Sequence, residues 1–108
     1  MAPYDAAVFP LISKNGLPET AKEIKKLLQD LGFVIFYDDS GSIGRRYRRM
    51  DEIGVAASIT VDHETLENKT VTLRDRDSMR QIRIKIDEIC LKLRKFLDGK
   101  KLENLEKE

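Results

Sequence analysis

The chain has 108 residues, of which 41% are hydrophobic and 36% are charged, a composition typical of a folded globular protein and not of a disordered one. This length allows one domain with a single core and is too short for two. The formal net charge is only +1, so any affinity for nucleic acid must come from a local cluster of basic residues.

Three features of the sequence predict a cytoplasmic protein with no membrane partner. No apolar run approaches the length of a membrane span, which excludes an integral membrane protein. The N-terminus lacks the basic and apolar regions of a signal peptide. Cys90 is the only cysteine, which excludes an internal disulfide and is typical of a reducing compartment.

The first third of the chain predicts two buried strands with a helix between them. Residues Ala6–Leu11 are almost all apolar, as in a strand covered on both faces, and Pro10 should end the strand because it has no N–H. A helix with Pro18 in its first turn follows, and Gly32 should stop it. Phe33–Tyr37 (FVIFY) then form the second strand.

The segment Asp38–Gly54 (DDSGSIGRRYRRMDEIG) predicts a turn followed by a short arginine-rich helix. Four apolar residues repeat at the spacing of one buried helical face: Ile43, Tyr47, Met50 and Ile53. Ser42 can cap the start of this helix, and Gly54 can end it in the left-handed conformation. Four arginines are expected to lie off the apolar face, with their guanidinium groups in water: Arg45, Arg46, Arg48 and Arg49. The segment therefore predicts an anion-binding edge, in which free N–H groups at a helix start adjoin fixed positive charge.

The second half of the chain predicts three more strands. Val55–Val61 is a run of small and β-branched residues, and both Thr70–Arg74 and Ile82–Ile86 alternate with the period of a strand. The polar segment Asp62–Lys69 is expected to be an exposed hairpin connection. Its His63 has no histidine or cysteine nearby with which to share a metal ion, so no metal site is predicted.

A last helix and a charged tail complete the predicted domain. Asp87 should cap this helix and Gly99 should stop it, so the domain is predicted to span residues 1–99. Residues 100–108 are expected to form a charged tail that frays. Two leucines in the tail could support one more turn: Leu102 and Leu105.

The order of these elements predicts an α/β fold of three layers, with a mixed five-stranded sheet between three helices. Right-handed crossovers place the second and third strands on either side of the first. The short connection after the third strand favours an antiparallel pair, so the expected order is 2-1-3-4-5 with strand four antiparallel. Ligands collect beyond the carboxyl ends of parallel strands, where the Lys14 loop and the Asp38–Ser42 turn should lie.

Ordered motifs in this chain closely resemble the C-terminal anticodon-binding domain of glycyl-tRNA synthetase, in the form found in archaea and eukaryotes. The resemblance rests on DDSGSIGRRYRRMDEIG and on ITVDHETLENKTVTLRDRDSMRQIRIKIDEI, and APYDAAVFPL and GLPETAKEIKKLL match as well. It covers about residues 2–98, and GSIGRRY, DEIG and RDRDSMRQ are specific to that family.

The resemblance implies a tRNA-binding module of translation that is not an enzyme on its own. Its parent would be a glycine–tRNA ligase, which joins glycine to its tRNA with ATP and magnesium in a catalytic domain absent from this chain. The implied partners are the anticodon stem-loop of glycine tRNA and that catalytic domain. The isolated domain should be a monomer without a cofactor, metal ion or catalytic residue, and the parent enzyme a homodimer.

Recognition of the glycine anticodon requires that two cytosines be read, because glycine codons begin with two guanines. An unstacked cytosine presents an amino donor beside the acceptors N3 and O2, so its reader needs a carboxylate or carbonyl beside an arginine. Two motifs supply this mixture: Asp38 and Asp39 with Arg45 and Arg46, and RDRD at Arg74–Asp77. The residues predicted to contact RNA are Lys14, Asp38, Ser40, Ser42, Arg45, Arg46, Arg49, Arg74 and Arg76.

Each of these signals has an alternative. The arginine-rich helix could be a solvated surface helix, although Tyr47 between the arginine pairs suits contact with phosphates and bases. The RDRD motif could be a turn of ion pairs that neutralise one another. The two motifs should lie at opposite sheet edges, roughly 20 Å apart, so one RNA contacts both only by lying along the sheet.

Two other functions compete with anticodon binding. An enzyme could use SGSIG to hold a nucleotide phosphate, but the chain lacks a P-loop Gly-Lys-Ser/Thr, a paired set of metal ligands and a nucleophile–base pair. A protein-interaction module could have kept the fold and lost the RNA, and the four retained arginines argue against that interpretation.

Overall fold

A mixed five-stranded sheet organises the fold, and the computed structural model describes residues 4–39 and 41–107. The strands are β1 (Ala6–Pro10), β2 (Ile35–Tyr37), β3 (Ala57–Val61), β4 (Thr70–Asp75) and β5 (Gln81–Lys85). Their order is β2-β1-β3-β4-β5. β1 is parallel to β2 and β3, whereas β4 is antiparallel to β3 and β5. The predicted strand order and directions are confirmed.

Five α-helices lie in the described part of the chain. They are α1 (Leu17–Asp30), α2 (Ile43–Ile53), α3 (His63–Asn68), α4 (Ile89–Leu97) and α5 (Leu102–Glu106). α1, α4 and α5 contribute to the larger core on one face of the sheet, and α2 packs on the other face. The three layers are confirmed, and the short helices α3 and α5 add to the three predicted. Within the described ranges, no helix is both long and apolar enough to cross a membrane.

Both faces of β1 are buried, as its apolar sequence predicts. Ala6 and Val8 belong to the larger core beneath α1, whereas Ala7 and Phe9 belong to the smaller core beneath α2. All five residues of the strand are buried because side chains alternate between the two faces of a strand. This interior strand therefore fixes α1 and α2 on opposite sides of the sheet.

The segment 62–69 joins two antiparallel strands, as predicted, but it contains a helix that was not predicted, because His63–Asn68 form α3. Asp62 Oδ1 accepts from the backbone N–H of Thr65 at 3.1 Å, and Thr65 Oγ1 accepts from the N–H of Asp62 at 3.0 Å. This reciprocal capping box satisfies two N–H groups at the helix start. The helix ends at Lys69, which has a φ of 57°. The Asp-x-x-Thr spacing carried the signal for this helix.

The end of the chain differs from prediction in two places. Asp87 lies inside a 3₁₀ turn at Ile86–Glu88, so it does not cap α4. Beyond Gly99, Leu102–Glu106 form α5 where a frayed tail was expected, and this is the further turn that the two leucines could support. Leu102 and Leu105 are buried in the larger core. The division between domain and tail at residue 99 stays a prediction.

One of the two buried leucines of α5 tests whether this helix is part of the folded domain. Leu105→Ala should lower the free energy of unfolding by about 2–5 kcal/mol, because it removes a fully buried side chain and leaves a cavity. Leu91→Ala on α4 is the control, since Leu91 is exposed and its loss should change that free energy by about 0.5 kcal/mol or less. Urea unfolding of both variants measures the difference, and equal effects would contradict the docking of α5.

Candidate nucleic-acid interface

The arginine-rich helix begins and ends where its capping residues predict. The Ser42 hydroxyl accepts from the N–H of Arg45 at 3.3 Å, and Gly54 ends α2 with a φ of 85°. α2 starts just after the carboxyl end of β2 and finishes just before β3 begins. Since β2 and β3 are both parallel to β1, α2 runs from the end of the sheet where β2 finishes to the end where β3 begins.

Arg46 is the main correction to the predicted site. Its guanidinium was expected in water, but only 2% of the residue is exposed. Nη1 donates to the carbonyl of Pro10, Nη2 donates to the carbonyl of Leu11 at 3.1 Å, and the guanidinium carbon lies 5.6 Å from the centre of the Phe9 ring. Position 46 follows Ile43 by three residues and precedes Met50 by four, so it belongs to the buried face of the helix. Arg46 anchors α2 to the end of β1.

The predicted use of Asp38 and Asp39 with Arg45 and Arg46 to read a cytosine stays a prediction, but the structure holds Asp38 with a different arginine. Asp38 is buried, and its Oδ2 accepts from Nη1 of Arg49, one helical turn further along α2. Pairing with a guanidinium stabilises a buried carboxylate, so this contact explains why an acid can be buried at the end of β2. Arg49 therefore holds the edge together, and part of its charge is neutralised there.

Asp39 connects β2 to the loop that follows β1. The Tyr37 hydroxyl donates to Asp39 Oδ2 at 3.1 Å, and the Ser13 hydroxyl donates to the backbone carbonyl of Asp39 at 2.8 Å. Burial, followed by the neighbouring Asp39 carboxylate, raises the pKa of Tyr37 to about 12, so this phenol stays protonated at physiological pH. As predicted, the Lys14 loop and the Asp38–Asp39 segment lie at the same edge, whereas Ser40 lies outside the described residues.

The other side of α2 faces β3 and β4 through Tyr47. The hydroxyls of Tyr47 and Thr60 lie 3.0 Å apart, and the tyrosine ring makes an edge-to-face contact with Phe9. The guanidinium carbon of Arg74 lies 4.3 Å from the centre of the Tyr47 ring, which is stacking distance. Arg74 makes no ion pair with any residue in the described ranges. Its N–H donors are therefore held in place and available.

The residues of the RDRD motif have different roles in the turn after β4. Asp75 Oδ1 accepts from the N–H of Asp77 at 2.9 Å, and Asp75 Oδ2 accepts from the Ser78 hydroxyl at 3.0 Å, so Asp75 holds the turn closed. Arg76 pairs with Asp77 at 3.4 Å, and its N–H donates to the carbonyl of Ala56. The motif lies at the opposite sheet edge from Asp38, as predicted, and α2 spans the distance between them. The surface formed by Tyr47, Arg74 and Arg76, with Asp51 one helical turn after Tyr47, is called the α2–β4 flank.

The outer face of α2 carries the cations that remain in water. Arg45 and Arg48 are exposed, and with Arg49 and Glu52 they line a shallow depression of about 210 Å³. Neither Arg45 nor Arg48 pairs with a carboxylate among the residues that the structure describes. This face is suited to phosphate groups, because the planar guanidinium groups of Arg45 and Arg48 can donate hydrogen bonds to them.

Arg83 is a charged residue on the open sheet face that the sequence interpretation missed. Its Nη2 lies 2.6 Å from Asp62 Oδ2, its Nε lies 2.5 Å from Glu64 Oε2, and its Nη1 donates to the Thr70 hydroxyl at 3.1 Å. Burial alone would raise the pKa of Asp62, but the bonds and charge of Arg83 and the bonds from Thr65 lower it below its ordinary value. Alternation along β5 could have placed Arg83 opposite the core. Because the donors of Arg83 are already bonded to Asp62, Glu64 and Thr70, this residue stabilises the contact between α3 and β5.

His63 is exposed at the start of α3, and no group of three potential metal ligands occurs among residues 4–39 and 41–107. The arrangement instead offers two kinds of contact for an extended polyanion. Exposed guanidinium groups lie on the outer face of α2, and an arginine stacks on an aromatic ring at its flank. Together these features are typical of a surface that binds single-stranded nucleic acid.

Comparison with known proteins agrees with this geometry. The model of the family described as anticodon binding domain matches residues 5–96, and the chain belongs to that family. Among solved structures, prolyl-tRNA synthetase from Cryptosporidium parvum superposes with a TM-score of 0.81 and 25% identity over 90% of this chain and 21% of that protein. The RNA-binding domain of threonyl-tRNA synthetase from the same organism gives a TM-score of 0.77, with 26% identity over 86% of this chain and 23% of that one.

Curated relatives identify the type of anticodon-binding domain. Glycine–tRNA ligase of Aeropyrum pernix is 54% identical over 107 residues, which are 97% of this chain and 18% of that enzyme. Glycine–tRNA ligase of Methanocaldococcus jannaschii is 54% identical over 89 residues, which are 82% of this chain and 15% of that enzyme. The chain thus spans less than a fifth of these relatives, and the part it matches is the anticodon-binding part and not the catalytic part. The resemblance to glycyl-tRNA synthetase is confirmed.

The buried position of Arg46 makes a testable prediction. Arg46→Ala should lower the free energy of unfolding by about 3–5 kcal/mol, because it removes two charge-assisted hydrogen bonds and exposes two carbonyl groups to a cavity. Arg45→Ala, one residue earlier and exposed, should change it by about 0.5 kcal/mol or less. Urea unfolding measures both free energies. If the Arg46→Ala variant is as stable as the Arg45→Ala variant, the buried position of Arg46 is contradicted.

Proposed function

We propose that this chain reads the anticodon of glycine tRNA, with the loop of the RNA lying along the α2–β4 flank. The observation that carries the proposal is the Arg74 guanidinium, which stacks 4.3 Å from the Tyr47 ring with its donors free. One face of the guanidinium packs on the tyrosine, and the other can take an unstacked base. The family and the glycine–tRNA ligase relatives support the same choice of RNA.

The proposal divides the cations of the site into two groups. Arg45 and Arg48 bind phosphates, because they are exposed, unpaired among the described residues and on the outer face of α2. Arg74 contacts a base, because its plane is fixed by Tyr47 and its edge carries hydrogen-bond donors. Arg46 is assigned to structure and Arg49 to holding Asp38, so both support the surface from behind.

The other predicted contacts keep lesser roles in the proposal. Lys14 and Ser42 lie at the carboxyl edge of the parallel strands, where they can hold the RNA backbone next to the Asp38–Arg49 pair. Ser40 is proposed for the same edge from its position in the sequence alone. Arg76 lies at the far edge, beside the start of β3, and extends the surface along the sheet.

We further propose that the chain serves a cytoplasmic glycine–tRNA ligase whose remaining part catalyses the reaction. ATP and magnesium would be bound by that part, which accounts for the larger share of the relatives' length. The parent would be a homodimer, and this domain would deliver the anticodon end of the tRNA to it. The domain itself would work as a monomer without a cofactor.

Discrimination between two RNAs tests the proposed function. The chain should bind a glycine anticodon stem-loop more tightly than the same stem-loop with both anticodon cytosines replaced by uracil. Arg74→Ala should reduce that preference by about 1–3 kcal/mol, the usual contribution of a good base contact. Fluorescence anisotropy at fixed salt gives both affinities for each protein.

Arg48→Ala is the matched control for Arg74→Ala. Loss of a phosphate contact should weaken binding to both RNAs equally and lower the slope of log K against log salt by about 0.7. A wild-type chain that binds the two stem-loops equally would contradict anticodon reading. An Arg74 variant that keeps the full preference for cytosine would contradict the role of Arg74.

A further inference from the structure

Two buried polar atoms on the α2–β4 flank have no hydrogen-bond partner: Oδ1 of Asp51 and Nε of Arg76. Folded proteins pair nearly all buried polar atoms, so each exception requires an explanation. One atom is an acceptor and the other is a donor, yet they do not bond to each other. Both side chains are only partly buried, so a small rotation of each presents its unpaired atom to a ligand that carries both a donor and an acceptor.

Asp51 lies on the side of α2 that faces β3 and β4. It follows Tyr47 by four residues, so it is one turn closer to the end of α2 on the same side of the helix. The end of α2 leads into β3, and the N–H of Arg76 donates to the carbonyl of Ala56 at that edge. Asp51, Arg74 and Arg76 therefore line one end of the flank beside the Tyr47–Arg74 stack.

The other carboxylates around this surface are already engaged. Asp75 uses both oxygens to close its turn, and Asp38 is paired with Arg49. Asp62 and Glu64 are held by Arg83 at the opposite end of the sheet face. Within the described residues, Asp51 is the acid that has a buried oxygen without a bond.

We propose that Asp51 is a specificity-determining residue, which accepts a hydrogen bond from the 4-amino group of one anticodon cytosine. Arg74 or Arg76 donates to N3 or O2 of the same base. This inference rests on the proposed function, because the base is identified by the cytosines of the glycine anticodon. It assigns the acceptor to a residue of α2, where the sequence interpretation placed it in Asp38, Asp39 or the RDRD turn.

A carboxylate at this position separates cytosine from uracil. An ionised carboxylate only accepts hydrogen bonds, so it pairs with the amino group of cytosine. Uracil presents a carbonyl oxygen at the same ring position, which leaves two acceptors facing each other. The mismatch leaves the carboxylate unpaired in a partly buried site, and that penalty is the physical source of the selectivity.

A double-mutant cycle, in which residue 51 of the protein and one base of the RNA are changed singly and together, tests the contact between Asp51 and the amino group. One anticodon cytosine at a time is replaced by pyrimidin-2-one, which lacks only the 4-amino group, in the glycine stem-loop. At one of the two positions this change should weaken binding to the wild-type chain by about tenfold. For Asp51→Leu the same change should weaken binding by about twofold or less, because leucine has a similar size and no hydrogen-bond acceptor.

Two further variants are controls. One tests whether the position of the carboxylate matters as well as its charge, and the other tests whether the loss of any carboxylate has the same effect. Asp51→Glu keeps the charge but displaces the oxygen by one methylene, so it should also lose most of the tenfold effect. Glu106→Gln removes an exposed carboxylate of α5, on the other face of the sheet, and should keep the effect in full. Thermal unfolding confirms that each variant is folded at the assay temperature, which is expected because Leu has nearly the same size as Asp and replaces a buried oxygen that has no partner.

The failure of this inference can be told apart from that of the proposed function. If Asp51→Leu and Asp51→Glu show the same tenfold loss as the wild-type chain at the same position, Asp51 does not contact the amino group and the inference is wrong. The wild-type preference for cytosine would then still support anticodon reading. If the wild-type chain binds the unmodified, pyrimidin-2-one and uracil stem-loops equally well, both the proposed function and the inference are wrong.

Discussion

The surface depends on one buried contact, in which the Arg46 guanidinium binds the carbonyl groups at the end of β1. Pro10 ends the strand, and the carbonyls of Pro10 and Leu11 need donors because a buried carbonyl without a partner is costly. Supplying these donors from α2 fixes the rotation of that helix over the sheet. With position 46 turned inward, Tyr47 must face β3 and Arg48 must face solvent.

This rotation gives neighbouring arginines of one helix different roles. Arg46 is a structural anchor, Arg49 holds the buried Asp38 carboxylate, and Arg45 and Arg48 stay in water. The Tyr47 ring also positions Arg74 of β4. One of the arginines available to bind RNA therefore lies on the sheet itself and not on α2. A net charge of only +1 is compatible with RNA binding because these donors are concentrated and oriented along one side of the sheet.

The sequence predicted the sheet order and the ends of α2 because those features depend on local patterns. Alternation in β4 and β5, the apolar run of β1 and the Ser42 and Gly54 caps are all visible in short windows. Arg46 was misplaced because its charge was given more weight than its position on the helical face. The Tyr47–Arg74 stack and the unpaired oxygen of Asp51 depend on how α2 and β4 pack, which no short window contains.

The most direct test of the account is a map of where the RNA lies on the domain. Backbone amide shifts of the isotopically labelled chain, followed while a glycine anticodon stem-loop is added, would provide it. The account predicts that the largest changes occur at Tyr47, Asp51 and Arg74, while α1 and α4 on the opposite face of the sheet stay unchanged. Largest changes along α1 and α4, with the α2–β4 flank unaffected, would contradict it.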